Sequence, residues 1–211
     1  MNPRGKVDLL DPLTSCSDEE LLVSFRRGQR EAFGVLVRRY QGELYGYLCR
    51  YLGDRTLAED VFQNTFLQVF TKIGQYEQGR PVRPWLYTIA THQAIDALRR
   101  VGRNQALSLE QGREDGSGEE LSHLFDLVES RHAGPIDQAQ GEERRQRVRA
   151  SVDRLPDFLK QVVILAYYQG LKYKDIADIM GIPVGTVKSR LHAALMRLQE
   201  AWSEVSALRE P

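Results

Sequence analysis

The sequence predicts an all-α protein with two small helical domains joined by a flexible acidic linker. Apolar residues recur at three- and four-residue spacings over most of the chain, as on the buried sides of amphipathic helices. No stretch keeps the two-residue alternation that is typical of a half-buried strand. From Gly102 to Arg145, five arginines stand against ten acidic residues and periodicity is poor, which indicates a linker with little fixed structure.

These features divide the chain into five parts, of which two are predicted to be folded. The parts are a flexible tail over 1–16, a helical domain over 17–101, the acidic linker over 102–144, a second helical domain over 145–202 and a short tail over 203–211. Capping signals mark the helices of the first domain. Capping boxes are predicted at Ser17 with Glu20 and at Thr56 with Glu59.

Composition excludes several classes of site. Formal net charge is zero, so overall charge indicates no partner. Cys16 and Cys49 fit no metal-ligand or redox spacing and the four histidines are scattered, so we expect reduced thiols, no metal and no cofactor. No apolar run approaches the roughly 20 residues that span a bilayer. The N-terminus has no apolar signal core, and we therefore expect a cytoplasmic protein without membrane insertion.

The helix behind the second capping box offers a docking surface for another protein. Its apolar side is predicted to be formed by Phe62, Phe66 and Phe70. The opposite side is polar but carries few full charges. It consists of Asp60, Gln63, Asn64, Leu67 and Gln68. A plain amphipathic helix is the alternative, and spacing alone favours that alternative.

The segment 80–103 combines cations with aromatic rings, which suits binding of single-stranded DNA. Five arginines stand there against one acidic residue, Asp96. The candidate DNA-binding residues are Arg80, Arg83, Tyr87, His92, Arg99 and Arg100. The alternative is a solvated basic edge beside a core tryptophan. For Trp85, four residues before Ile89, we favour the core position.

The segment from Tyr173 to Leu198 has the spacing of a helix-turn-helix. Ala177 is small where two helices approach closely, and Gly181 can supply the positive φ that ends the first helix. Lys172 is a poor residue to cap that helix. The buried side of the second helix is predicted to consist of Val187, Leu191, Leu195 and Leu198.

The other side of this second helix is predicted to read duplex DNA. No acidic residue occurs between Ile179 and Gln199, and lysine and arginine side chains can reach guanine edges or phosphates in the major groove. The candidate residues are Thr186, Lys188, Ser189, Arg190, His192 and Arg197. A solvated face on an ordinary helical hairpin is the alternative, and the acid-free face makes it the weaker one.

Together, the motifs resemble the extracytoplasmic-function (ECF) group of the sigma-70 family of bacterial RNA polymerase sigma factors. AEDVFQNTFLQVF, residues 58–70, resembles region 2.2, which docks on the β′ clamp helices of the polymerase core. RPWLYTIATHQAIDALRR, residues 83–100, resembles regions 2.3 and 2.4, which melt and hold the −10 promoter element. Residues 155–198 resemble region 4, which reads the −35 element.

The resemblance implies a non-enzymatic protein that binds polymerase core through the β′ clamp helices and the β flap, binds promoter DNA, and is held by an anti-sigma factor. Three positions depart from the family pattern. Asn64 stands where an acid is usual, His92 where asparagine is frequent near the flipped −10 base, and Lys172 where a small capping residue is common.

Two other functions compete with this interpretation. A stand-alone helix-turn-helix regulator would explain Lys188 and Arg190 but neither the clamp-like helix nor the basic aromatic segment. A DNA-processing enzyme such as a recombinase needs a nucleophile or a set of carboxylates that binds metal. Only Asp60 and Asp96 lie near the basic segment, so this alternative is the weaker of the two.

Overall fold

The computed structural model describes residues 12–109, 146 and 148–207. Regular structure over these ranges is helical, without a strand, which confirms the predicted all-α class with two helical domains. The first domain contains α1 (Asp18–Arg26), α2 (Arg30–Leu52), α3 (Arg55–Lys72) and α4 (Val82–Leu109). The second contains α5 (148–153), α6 (Asp157–Val163), a π-helical turn (Ile164–Tyr168), α7 (Tyr173–Met180) and α8 (Val184–Ala207).

One predicted capping box is confirmed and the other is wrong. At the start of α1, Ser17 Oγ accepts a hydrogen bond from the backbone N–H of Glu20, whose carboxylate accepts one from the N–H of Ser17. At the start of α3 the cap is Asp54, which accepts from the N–H of Leu57 at 2.9 Å. The helix begins two residues earlier than predicted because Gly53, with φ of 73°, ends α2 and leaves Asp54 extended.

Helix α4 extends beyond 101, where the first domain was predicted to end, and continues to Leu109, so residues 102–109 of the predicted linker are helical. The rest of the predicted acidic linker, 110–144, lies outside the described residues. None of the helices in the described ranges is long and apolar enough to cross a membrane.

The core of the first domain is formed where α2, α3 and α4 pack together, with α1 across α2. Phe66 is buried as predicted, but Phe70 is 52% exposed, so its predicted core position is wrong. Phe70 lies at the edge of the bundle, where its ring contacts the rings of Phe25 and Phe33 at centroid distances of 5.3 and 5.6 Å. A residue at the boundary between two helix faces is buried only if a neighbouring helix reaches it.

The core of the second domain joins α6, α7 and α8. Val187, Leu191 and Ala194 of α8 are buried, whereas Leu195 is 45% exposed, so the predicted core position of Leu195 is wrong. Eight residues at about 100° each turn Leu195 by roughly 80° from Val187, which places it at the edge of the buried stripe. Ala194 fills the central position instead.

The two domains also contact each other. Helix α4 packs against α7, and α2 packs against the π-helical turn. These contacts decide which of the predicted DNA-binding residues are exposed.

Candidate nucleic-acid interface

Helices α7 and α8 form the predicted helix-turn-helix. Gly181 adopts the left-handed conformation, with φ of 63°, and ends α7. The N–H of Ile182 then donates to the carbonyl oxygen of Ala177 at 3.0 Å, which fixes the turn. Lys172 makes no side-chain capping bond at the start of α7, as its chemistry predicts.

Four of the six predicted −35 residues lie on the exposed side of α8, and the other two lie at the border of its buried stripe. Lys188, Ser189, His192 and Arg197 are exposed, and Thr186 and Arg190 are half-buried. The Arg190 guanidinium lies over the Phe158 ring of α6, 5.4 Å from the ring centroid. Because one cation is held by a ring and the others are free to extend, the six candidates are not equivalent.

The predicted polymerase-binding side of α3 is accessible. Asp60, Gln63, Asn64 and Leu67 are exposed, and Gln68 is half-buried. The Leu67 side chain is 58% exposed between polar neighbours. An exposed leucine within a polar row is suited to contact a partner protein.

The predicted −10 residues divide into two groups along and before α4. The first group is exposed and consists of Arg80, His92, Arg99 and Arg100. Two of these arginines form exposed ion pairs, Arg80 with Glu77 at 2.6 Å and Arg99 with Asp96 at 3.6 Å. Exposed pairs of this kind are worth at most about 1 kcal/mol, so both arginines can exchange a carboxylate for a phosphate.

The second group lies where the two domains meet, and in it Tyr87 is buried and Arg83 is half-buried. Tyr87 is fully buried, and its ring meets the Tyr47 ring edge-on at 5.1 Å. The Tyr87 hydroxyl lies 2.7 Å from both the Glu43 carboxylate and the Gln169 amide oxygen. Burial, with the charge and hydrogen bond of Glu43, raises the pKa of Tyr87 far above its ordinary value.

Arg83 takes part in the same network, because its Nε donates to Glu43 at 2.8 Å and its Nη2 donates to the Gln169 carbonyl oxygen at 2.6 Å. In this arrangement Tyr87 is closed off from a nucleotide, and two nitrogens of the half-buried Arg83 guanidinium are already hydrogen-bonded. Trp85, for which we favoured a core position, is half-buried against Tyr76, with ring centroids 5.1 Å apart.

Glu43 and Gln169 organise this network, and no sequence pattern identified either residue. Neither belongs to a recognisable motif: Glu43 is one of several polar residues on α2, and Gln169 follows two tyrosines at a helix end. Burial is the feature that marks Gln169 as a structural residue, because its polar side chain is only 7% exposed. That burial exists only in the folded protein.

Comparison with known protein families finds a matching family model for each of the two domains. The family model described as sigma-70 region 2 matches residues 36–104, and the model described as sigma-70, region 4, matches residues 145–198. Both matches fall on the helices that carry the candidate surfaces.

The chain is also similar to individual proteins. It is 32% identical to the RNA polymerase sigma-H factor of Pseudomonas aeruginosa, over 90% of this chain and 95% of that protein. It is 33% identical to the ECF RNA polymerase sigma-E factor of Haemophilus influenzae, over 84% of this chain and 91% of that protein.

Among solved structures, the fold is similar to that of the sigma factor RpoE of Bartonella quintana, determined in complex with the anti-sigma factor NepR. The TM-score is 0.62 and sequence identity is 23%, over 81% of this chain and 96% of that one. The family models match both domains in the order of region 2 and region 4, and the two relatives are at least 32% identical over most of this chain. The chain belongs to the sigma-70 family of RNA polymerase sigma factors, in the extracytoplasmic-function group.

Proposed function

We propose that this sigma factor directs RNA polymerase core to particular promoters by reading −35 duplex DNA with α8 and holding unpaired −10 bases with α4. The observation that carries the proposal is the division of basic residues between two domains. One set projects from the second helix of the helix-turn-helix, and the other lies along and before α4. A protein that reads duplex DNA needs the first set alone, whereas promoter melting needs a second site for single strands.

On α8, the exposed side chains of Lys188, Ser189 and His192 are the residues that reach base edges in this proposal. Arg197 lies two turns further along, where a phosphate contact is the natural role for a cation at the end of a docked helix. Arg190 has a shorter reach because its guanidinium rests on Phe158. It therefore combines a DNA contact with a contribution to domain packing.

On α4, His92 and the pair Arg99 and Arg100 form the accessible part of the −10 site. An imidazole ring can stack on a base and donate a hydrogen bond, and the arginines can follow the phosphates. Arg83 and Tyr87 belong to the same site in this proposal, but they are available only when Gln169 moves away.

Polymerase core would dock on α3, with the β′ clamp helices over Leu67 and its polar neighbours. Leu67 would supply the apolar anchor, and Asn64 would offer an amide hydrogen bond in place of a charge. The second domain would contact the β flap. An anti-sigma factor is a further proposed partner, as in the complex of the Bartonella RpoE protein with NepR.

A sigma factor works where RNA polymerase transcribes, so we place the protein in the cytoplasm. The sigma-factor family is not a family of catalytic enzymes, and we propose that this chain acts through binding alone. The match to both region 2 and region 4 disfavours the stand-alone regulator, which has no use for a polymerase-docking helix.

Transcription in vitro tests the proposal. Purified core polymerase is supplied with the full chain and a promoter library, and transcripts are sequenced. We expect transcripts to start downstream of a shared pair of −35 and −10 sequences. A chain that binds duplex DNA but never changes the start sites chosen by core polymerase would refute the assignment as a promoter-specificity factor.

The docking surface is tested with the double variant Gln63→Ala and Asn64→Ala. Both side chains are exposed, so we expect the fold to survive and association with core polymerase to weaken by about tenfold, the effect of ~1.4 kcal/mol. Gln41→Ala, on an exposed position of α2, is the matched control. Unchanged core affinity of the double variant would place the docking surface elsewhere.

A further inference from the structure

The loop between α3 and α4 carries Arg80, one of the exposed residues proposed for the −10 site, and both ends of this loop are fixed within the first domain. At the first end the Tyr76 side chain is buried, and its ring packs on the Trp85 ring with centroids 5.1 Å apart. The Tyr76 hydroxyl donates a hydrogen bond to the backbone carbonyl oxygen of Arg80. A buried ring therefore holds the backbone of an exposed arginine.

The second end of the loop is held by a carboxylate from another helix. The backbone N–H of Val82, the first residue of α4, donates to Glu19 Oε1 at 3.2 Å. The first N–H groups of a helix have no partner within that helix, and the helix dipole also favours a negative charge there. Glu19 lies on α1, 63 positions earlier in the chain, so α1 supplies a capping contact to α4 from a distant segment.

The two anchors of the loop lie close enough to influence each other. Burial, with the negative charges of Glu19 and Asp18, raises the pKa of Tyr76. The phenol therefore stays protonated at neutral pH, and its hydroxyl remains a donor to the Arg80 carbonyl oxygen. Helix α1 also packs against both the start of the loop and α4. It thus braces the loop at both ends.

Between the anchors the chain closes into a turn that leaves the Arg80 side chain exposed. The N–H of Arg80 donates to the carbonyl oxygen of Glu77 at 3.2 Å, and Gly79 has a φ of 91°, which favours glycine. The Arg80 guanidinium pairs with the exposed Glu77 carboxylate, and such a pair is weak enough to be exchanged for a phosphate. The backbone at Arg80 is fixed, whereas its charged group can leave Glu77 for DNA.

We propose that Glu19 and Tyr76 are positioning residues for the −10 site, which hold the turn 77–81 in the form in which Arg80 contacts a phosphate of the unpaired strand. The inference rests on the −10 role proposed above, and it gives a function to α1, which precedes the residues matched by the region 2 model. A loop that is already ordered loses less conformational entropy when it binds. Loss of the Glu19 contact should therefore weaken strand binding, although Glu19 touches no DNA.

The sign of the effect separates this role from simple electrostatics. Removal of an acidic side chain normally strengthens DNA binding, because it removes repulsion from the phosphates. We expect Glu19→Ala in the full chain to weaken binding of a labelled −10 non-template strand by about fivefold, the size of one helix cap, as measured by fluorescence anisotropy. The matched control is Glu31→Ala, because exposed Glu31 has the same position in the first turn of α2. Unchanged or tighter strand binding by Glu19→Ala would overturn the proposal.

A double-mutant cycle tests whether Glu19 acts through Arg80. Arg80→Ala should itself weaken strand binding, and Glu19→Ala should then add little to that loss. Fully additive losses would mean that Glu19 does not position Arg80. Glu19→Gln keeps an acceptor for the Val82 N–H and should restore most of the strand affinity. Affinity for −35 duplex should keep its wild-type value in all of these variants, and a parallel loss there would show general damage to the protein instead of a positioning role.

Hydrogen exchange follows the loop without DNA. The backbone amides of Arg80 and Val82 are hydrogen-bonded in the wild type, and both should exchange faster in Glu19→Ala. Unchanged exchange at both amides would show that Glu19 does not hold the turn. If the loop is held as described but the wild type does not bind the strand, the −10 function is refuted, and the positioning role of Glu19 with it.

The variant Tyr76→Phe covers the case in which Glu19→Ala misfolds. It keeps the buried ring and removes only the hydroxyl that bonds the Arg80 carbonyl oxygen. It should speed exchange of the Arg80 amide and weaken strand binding, with −35 duplex affinity unchanged. Wild-type exchange and strand affinity in a folded Tyr76→Phe variant would overturn the positioning role of Tyr76.

Discussion

Replacement of Lys188 by alanine separates the two ways in which α8 can contact the −35 element. Lys188 is exposed on the second turn of α8 and forms no ion pair within the described residues. Its removal should therefore change the free energy of unfolding by no more than about 0.5 kcal/mol. Any larger effect on promoter binding reports on the DNA contact itself.

The size of that effect depends on what the ammonium group touches. A base-edge contact should cost ~1–3 kcal/mol at one base pair, or about 5- to 150-fold in affinity, and relax selectivity at that position alone. A phosphate contact should weaken binding to all sequences and reduce the slope of log K against log salt by about one unit.

Arg190→Ala is expected to behave differently, because the guanidinium also rests on Phe158. Loss of that cation–π contact should lower the free energy of unfolding by about 0.5–1 kcal/mol. Chemical denaturation measures this part, and the affinity for −35 duplex measures the rest. Arg190→Lys keeps the charge but not the planar group. Compared with Arg190→Ala, it should therefore restore phosphate binding more fully than it restores packing on the Phe158 ring.

The assay is fluorescence anisotropy of the full chain with a −35 duplex and its single-base variants over a range of salt concentrations. Lys72→Ala is the matched control, since Lys72 ends α3 in the other domain. If Lys188→Ala and Arg190→Ala both bind every duplex as the wild type does, with the same salt slope, α8 is not the helix that reads the promoter.

Three further outcomes are expected. His92→Ala should reduce the preference for the non-template −10 strand over its complement and slow open-complex formation, while −35 duplex affinity stays unchanged; anisotropy and a time-resolved melting assay measure these. Asp54→Ala should destabilise the protein by about 1 kcal/mol, and Thr56→Ala by less, because Asp54 caps α3. Leu191→Ala should cost ~2–5 kcal/mol, and Leu195→Ala much less, because only Leu191 is buried; urea denaturation measures both pairs.

Each of these outcomes has a contrary result. If the His92→Ala variant prefers the non-template strand over its complement as strongly as the wild type does, His92 is not part of the −10 site. A larger loss of stability from Thr56→Ala than from Asp54→Ala would mean that α3 begins at the capping box predicted from the sequence. Equal losses from the two leucine variants would contradict the orientation of α8 in the second domain.

Local sequence patterns were sufficient to predict several helix ends of this protein. The capping box at Ser17, the end of α7 at Gly181 and the absence of a capping bond at Lys172 depend on residues within one helical turn, and all three predictions are confirmed. The order of the motifs was sufficient to predict the family, and the matches to region 2 and region 4 confirm that prediction. The assignment of individual side chains to DNA or to polymerase stays a prediction.

Predictions failed where burial depends on a neighbouring helix. Phe70 and Leu195 have the spacing of core residues, yet each lies at the edge of its buried stripe and remains about half exposed. The cap at Asp54 was missed because Thr56 and Glu59 match a capping motif better, although Gly53 had already ended the preceding helix.

The sequence by itself determined the helical class, the two-domain order and the family, because periodicity, caps and motif spacing are properties of contiguous segments. Only the tertiary structure decided that Tyr87 is enclosed and Arg83 half-buried, while His92 and Arg99 remain accessible. Tyr87 and Gln169 are 82 positions apart in the chain. Their contact exists only because the two domains pack against each other, and no local pattern encodes a contact between residues so far apart in the chain.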